Sequence, residues 1–195
     1  MTNTNKPFGL AANRAKDGNN TGVLTPYYVP AGNAVKLYVG DPVVKTGTAN
    51  SSAFMGHAAG SLPAVAKAAA TGAITGVIMG FLPDGDRFSS GPLPAGTAAI
   101  ALVDDDLTKT FLIQANGSVA ATNVGQNANI SLATAGDDYS GLSGVSLDIS
   151  SADTTATLQL KILGIADGVD NEVGNYSVCE VIINNNSEAN NTAGI

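Results

Sequence analysis

The residues in this chain that could do chemistry are few. There is one His (His57), one Cys (Cys179) and no Trp, and charged residues make up 13% of the 195 positions. A hydrolase, a transferase or a redox enzyme needs titratable groups held close together. His57 stands in Phe54-Met55-Gly56-His57-Ala58, with no Ser or Cys nucleophile motif to frame it. The G-x-S-x-G pattern is absent, because Gly141-Leu142-Ser143-Gly144 has the wrong spacing. Neither G-x-x-x-x-G-K-[ST] nor G-x-G-x-x-G occurs, so nothing supports nucleotide binding. The single cysteine excludes an internal disulfide and a Cys-based zinc site. Cys179 lies in the apolar run Val178–Ile183 and reads as a packed small side chain.

Two acidic clusters offer the oxygen ligands that calcium wants: Asp104-Asp105-Asp106, and Asp167, Asp170, Asn171 and Glu172. Neither follows the twelve-residue loop with its central Gly and terminal Glu, so both read as surface turns. Gly72, Gly76 and Gly80 spell G-x-x-x-G-x-x-x-G, the dimerisation face of a membrane helix. The uncharged run that holds them, Ala68–Leu82, falls short of the roughly twenty residues a span needs, so a glycine-kinked strand is expected. The expectation is a protein that is not an enzyme and has no catalytic residues, no metal, no cofactor, no nucleic acid and no membrane.

The elements that would position any site are short strands. Tyr27–Val29, Val35–Val39, Val43–Lys45, Pro63–Ala69, Ala73–Leu82, Thr97–Val103 and Thr110–Ala115 are rich in β-branched and aliphatic residues and are punctuated by turn residues. Val145, Leu147 and Ile149 alternate with polar residues, as do Leu158, Leu160 and Ile162, which is the period of a strand with one solvated face. Tyr176–Ile183 is the last expected strand. Ser118–Val124 reads as one short helix, and Gly136–Gly144 and Asp167–Asn175 read as loops. The fold class is all-β, a short-stranded barrel or sandwich of jelly-roll type with room for two small β subdomains. All eight prolines lie at or before Pro94. The composition thus divides the chain into an extended N-terminal arm (1–25), a β domain (26–115), and a second β region (116–195) whose Asn-rich tail is expected to fray.

The net charge of −7 is unevenly spread: residues 1–45 carry +3 and residues 46–195 carry −10. The acidic body should repel nucleic acid, while the basic arm suits an acidic surface. The arm has no periodicity and one apolar knot, Pro7-Phe8-Gly9-Leu10, which would be wasted in water. No apolar block in residues 1–25 reads as a signal peptide, so assembly in a cytoplasm is expected.

The chain resembles the decoration (cement) proteins of tailed-bacteriophage heads. The likeness lies in Lys6-Pro7-Phe8-Gly9-Leu10 with Arg14 after it, in Tyr38-Val39-Gly40-Asp41-Pro42-Val43, in Gly76-Val77-Ile78-Met79-Gly80-Phe81, in Asp104-Asp105-Asp106, and in Asp170-Asn171-Glu172 before Ile182-Ile183-Asn184. The resemblance implies a homotrimeric virion protein, made in the bacterial host, that binds the major capsid protein on the outside of an icosahedral shell. It implies that Lys6, Pro7, Phe8, Gly9, Leu10 and Arg14 form a capsid-contact arm, with Phe8 and Leu10 anchored on capsid subunits or an adjacent copy. The competing expectation is a carbohydrate- or receptor-binding β-sandwich of a virion, for which exposed tyrosines such as Tyr139 would be the platform.

Overall fold

The computed structural model describes residues 3–17, 22–84 and 91–189. It is 44% strand and 2% helix, which makes the chain all-β as the alternation expects. Eleven strands are described: β1 Ala11–Ala15, β2 Thr25–Val29, β3 Pro42–Ala49, β4 Pro63–Lys67, β5 Gly76–Phe81, β6 Ala99–Asp104, β7 Lys109–Gln114, β8 Asn127–Ser131, β9 Ser146–Asp153, β10 Leu160–Ile165 and β11 Val178–Ile183. They form a closed barrel, β2-β4-β3-β5-β6, and a six-stranded sheet, β1-β7-β11-β10-β8-β9. The barrel closes through a parallel β2–β4 pair, a pairing absent from jelly rolls, so of the two descriptions the barrel is the one that applies to residues 25–104.

Each strand buries the residues its pattern marks. In β6 only Leu102 is partly exposed, as befits a strand enclosed on both sides. β10 and β11 alternate, with Leu160, Ile162, Cys179 and Val181 all fully buried. The glycine-kinked strand is β5: its register with β6 shifts between Ile78 and Gly80. A Cβ at Gly76 would lie 2.5 Å from the Asp104 carbonyl oxygen, so only glycine allows β5 to lie that close to the end of β6.

The boundary at 115/116 is corrected by the sheet topology. β7 lies before that boundary, yet it is an inner strand of the six-stranded sheet, and β1 from the arm is the edge strand beside it. The barrel therefore ends at β6, and Asp105–Thr108 is the crossing. The two sheets also share apolar contacts. One core cluster lies inside the barrel around Val29, Leu37, Val43 and Ile100's neighbours Ala99 and Ala101. The other joins Ala68, Ile74 and Val77 of the barrel region to Phe111, Ile130, Leu147 and Leu160 of the sheet.

Four further differences have local causes. Val35–Val39 is not a strand but two single bridges, Leu37 with Leu93 and Val39 with Leu142, because successive residues pair with different segments. The expected helix at Ser118–Val124 is a three-residue 3₁₀ turn, Ala121–Asn123. β8 (Asn-Ala-Asn-Ile-Ser) carries only two inward apolar side chains, too few to mark it as a strand. The expected frayed tail is tied down as far as it is described. The Asn184 side chain donates to the Ala156 and Leu158 carbonyls, Ile74 and Asn186 form a bridge, and Glu188 pairs with Lys45 at 2.8 Å. Residues 190–195 of that expected tail lie outside the described residues.

Candidate functional site: the N-terminal segment and the junction it closes

The arm is corrected most. Residues 3–17 do not reach away from the body; they pack along it. Asn3 spends its side-chain amide on the Glu172 and Asn175 carbonyls and accepts the Glu172 N–H. The Lys6 N–H donates to Gln114 Oε1 at 2.8 Å, while its side chain stays exposed. Pro7 and Phe8 are half-buried. Leu10 is 1% exposed and belongs to the chain's own core, so it has no surface left to anchor on a partner. The physical reason is β7: without β1 its edge would be bare, and the antiparallel pairs Ala11–Leu112 and Ala12–Phe111 cover it. Arg14 forks onto Glu180 of β11 at 2.7 and 3.0 Å and holds that carboxyl below its ordinary range.

Gly9 and Gly40 make the tightest point of this packing. Both have positive φ (76° and 88°), and a Cβ on Gly9 would lie 2.6 Å from both the Gly40 carbonyl oxygen and the Ser143 Cβ. The Leu10 N–H donates to that same Gly40 oxygen at 3.0 Å.

Immediately behind Gly40 sits Asp41, fully buried. Its carboxylate accepts the Tyr38 N–H at 2.9 Å and the Ser143 hydroxyl at 2.6 Å, and pairs with Lys67 Nζ at 2.8 Å. Asp41 thus joins β4 of the barrel to the loop that precedes β9. Tyr38 extends the cluster outward. Lys67 Nζ lies 5.9 Å from its ring centre, and its hydroxyl donates to Asp138, which also pairs with Lys36.

Burial first, and the Asp138 hydrogen bond second, push the Tyr38 phenol up to about 12 from 10.0. The unfolded chain releases this proton first, so Tyr38's contribution is complete below pH 10 and is lost as pH rises towards 12. Spectrophotometric titration should show a phenol step near 12 that is missing from Tyr38→Phe. An unchanged titration curve in that variant would refute the assignment.

Outside this junction, His57, the Asp104–Asp106 cluster and Cys179 are held by contacts within the fold. His57 and Phe54 exchange backbone hydrogen bonds at 2.9 Å across a tight turn in which Met55 and Gly56 have positive φ. In the Asp104–Asp106 cluster, Asp104 is buried against Lys109 at 3.7 Å, Asp105 accepts the Thr25 and Tyr27 hydroxyls, and Asp106 caps Thr108. Among the described residues no group of three His, Cys, Asp or Glu side chains is placed to hold a metal ion, and no helix is long and apolar enough to cross a membrane. Burial raises the Cys179 thiol to about 11. Tyr139 is 99% exposed on the Gly136–Gly144 loop.

Beside the junction lies an open, almost wholly apolar cleft of about 350 Å³, lined by Phe8, Leu10, Ala11, Ala12, Val39, Gly40, Met79 and Leu142. Leu142 is 40% exposed at its rim. No known protein family, no curated protein and no solved structure matches this chain.

Proposed function

We propose that this chain is a structural protein of a phage virion that binds the outer surface of an icosahedral shell and stabilises it without catalysis. The observation that carries the reading is the apolar cleft. Phe8, Val39 with Gly40, and Met79 belong to three separate stretches of the resemblance to decoration proteins, and all of them line this one cleft. An open apolar groove of this kind suits an apolar anchor from a capsid subunit. Binding to the assembled shell, and not to free subunits, would stabilise the shell by linkage. A homotrimer engaging three capsid sites at once would gain further through effective concentration.

The test is co-sedimentation of the intact chain with shells stripped of this component. Deleting residues 1–25 is uninformative, because it removes β1 and uncovers the core. Ala12→Arg is the better variant: residue 12 is exposed and lines the cleft. Saturable pelleting, weakened about tenfold or more in Ala12→Arg, is the expected result. Absence of pelleting at micromolar protein would overturn the proposal.

A further inference from the structure

Where β7 ends and β11 begins, two clefts of about 370 and 300 Å³ share Asn3 and Tyr176 in their linings. Their lining is mixed, unlike that of the apolar cleft: amides, carboxylates and hydroxyls stand beside two valines and one aromatic ring. Three of the amides are already committed. Asn3 clips the Glu172 and Asn175 backbone, Gln114 holds the Thr4 and Tyr176 carbonyls and the Lys6 N–H, and Asn171 holds the Ala166 and Val178 backbone. These bonds make the walls rigid before any ligand arrives.

Groups with hydrogen-bonding capacity left over in the lining include the Asp170 carboxylate, the Asn175 amide, the Thr4 hydroxyl and the Tyr176 phenol. Tyr176 also holds a backbone conformation, φ 59°, that is strained for a bulky side chain. Glycine would make the same turn without strain, so the turn by itself does not explain the tyrosine. Val173 borders one cleft and Val178 the other, giving each an apolar patch next to its polar groups.

We propose that this pair of clefts is a saccharide-binding site for a neutral sugar, with Tyr176 as the ridge against which a pyranose ring packs. An aromatic face takes the C–H side of a pyranose, a carboxylate accepts from neighbouring hydroxyls, and an amide both donates and accepts. Asp167, Asp170 and Glu172 on the same loop set the sign of the field, which disfavours anionic sugars. This site is independent of the capsid reading, because it lies on different residues from the apolar cleft. It also differs from the lone, fully exposed Tyr139.

The test is ligand-observed saturation-transfer NMR on the whole chain, with a panel of neutral glucosides, galactosides, mannosides and N-acetylhexosaminides at millimolar concentration and a sialylated sugar as the charged control. Two variants carry the decision. Tyr176→Gly removes the ring and fits the positive φ, and Asp170→Asn removes the charge at an exposed position; thermal melts confirm that both remain folded. The expected result is binding of at least one neutral class, weakened about tenfold or more in each variant and unchanged in Tyr139→Ala. No response from any neutral sugar, binding by either variant as strong as the parent's, or a preference for the sialylated control would each overturn the proposal.

Discussion

Replacing Asp41 by Ala should destabilise the fold by about 3 kcal/mol, the lower end of what is lost when one partner of a buried ion pair is removed. The lower end applies because Lys67 keeps 21% of its side-chain exposure and regains some hydration when its partner goes. Three bonds are lost together: the Lys67 ammonium, the Ser143 hydroxyl and the Tyr38 N–H all lose their acceptor. For a chain of this size such a loss lowers the thermal midpoint by about 6–12 °C. The double variant Asp41→Ala/Lys67→Ala separates the effects. It should recover part of the loss, because no unpaired ammonium is then left at the junction. A midpoint for Asp41→Ala within about a degree of the parent would show that the junction contributes little to stability.

Leu10→Ala should cost about 3 kcal/mol, within the range for truncating a fully buried leucine in a core that cannot collapse around the hole. The surroundings are rigid here: Gly9 is wedged against Gly40 and Ser143, and β1 is hydrogen-bonded to β7. The loss should also be local in its consequences. With Leu10 gone, β1 detaches before the rest of the sheet, so limited trypsin digestion should cut after Arg14 or Lys16 in the variant well before it cuts the parent chain. Phe8→Ala, at a half-buried position, should leave both the melt and the digestion pattern closer to the parent. If Leu10→Ala melts and digests like the parent, the N-terminal segment is not an integral strand, and the free-arm expectation returns.

Much of the fold is legible in the residues themselves, and for one reason. Val145, Leu147 and Ile149, or Leu160 and Ile162, alternate with polar neighbours because one face of a strand meets the core and the other meets water. That signal is local, so β9, β10, β11 and the apolar β6 can be read without knowing their partners. β1 and β8 carry too little of it: Ala-Ala-Asn-Arg-Ala has only small or polar side chains and Asn-Ala-Asn-Ile-Ser has a single large apolar one, and both are strands because a neighbouring strand offers them a ladder. The apolar knot at Phe8 and Leu10 was legible as something that must be buried, but not where. Composition cannot distinguish burial against one's own core from burial against a partner.

The candidate sites divide in the same way. The scarcity of His, Cys and charged residues, and the absence of nucleotide and nucleophile motifs, are properties of the amino-acid sequence by itself, as are the all-β class and the basic-to-acidic gradient. Asp41 as a buried junction, the cleft that gathers Phe8, Val39 and Met79, and the ring of Tyr176 set between two polar clefts were decided by tertiary structure alone. Ser143, for example, reaches Asp41 from 102 positions away. Alternation and turn chemistry act between neighbours along the chain, whereas these sites depend on which strands pair and in what register, and that is settled only when the whole core packs at once.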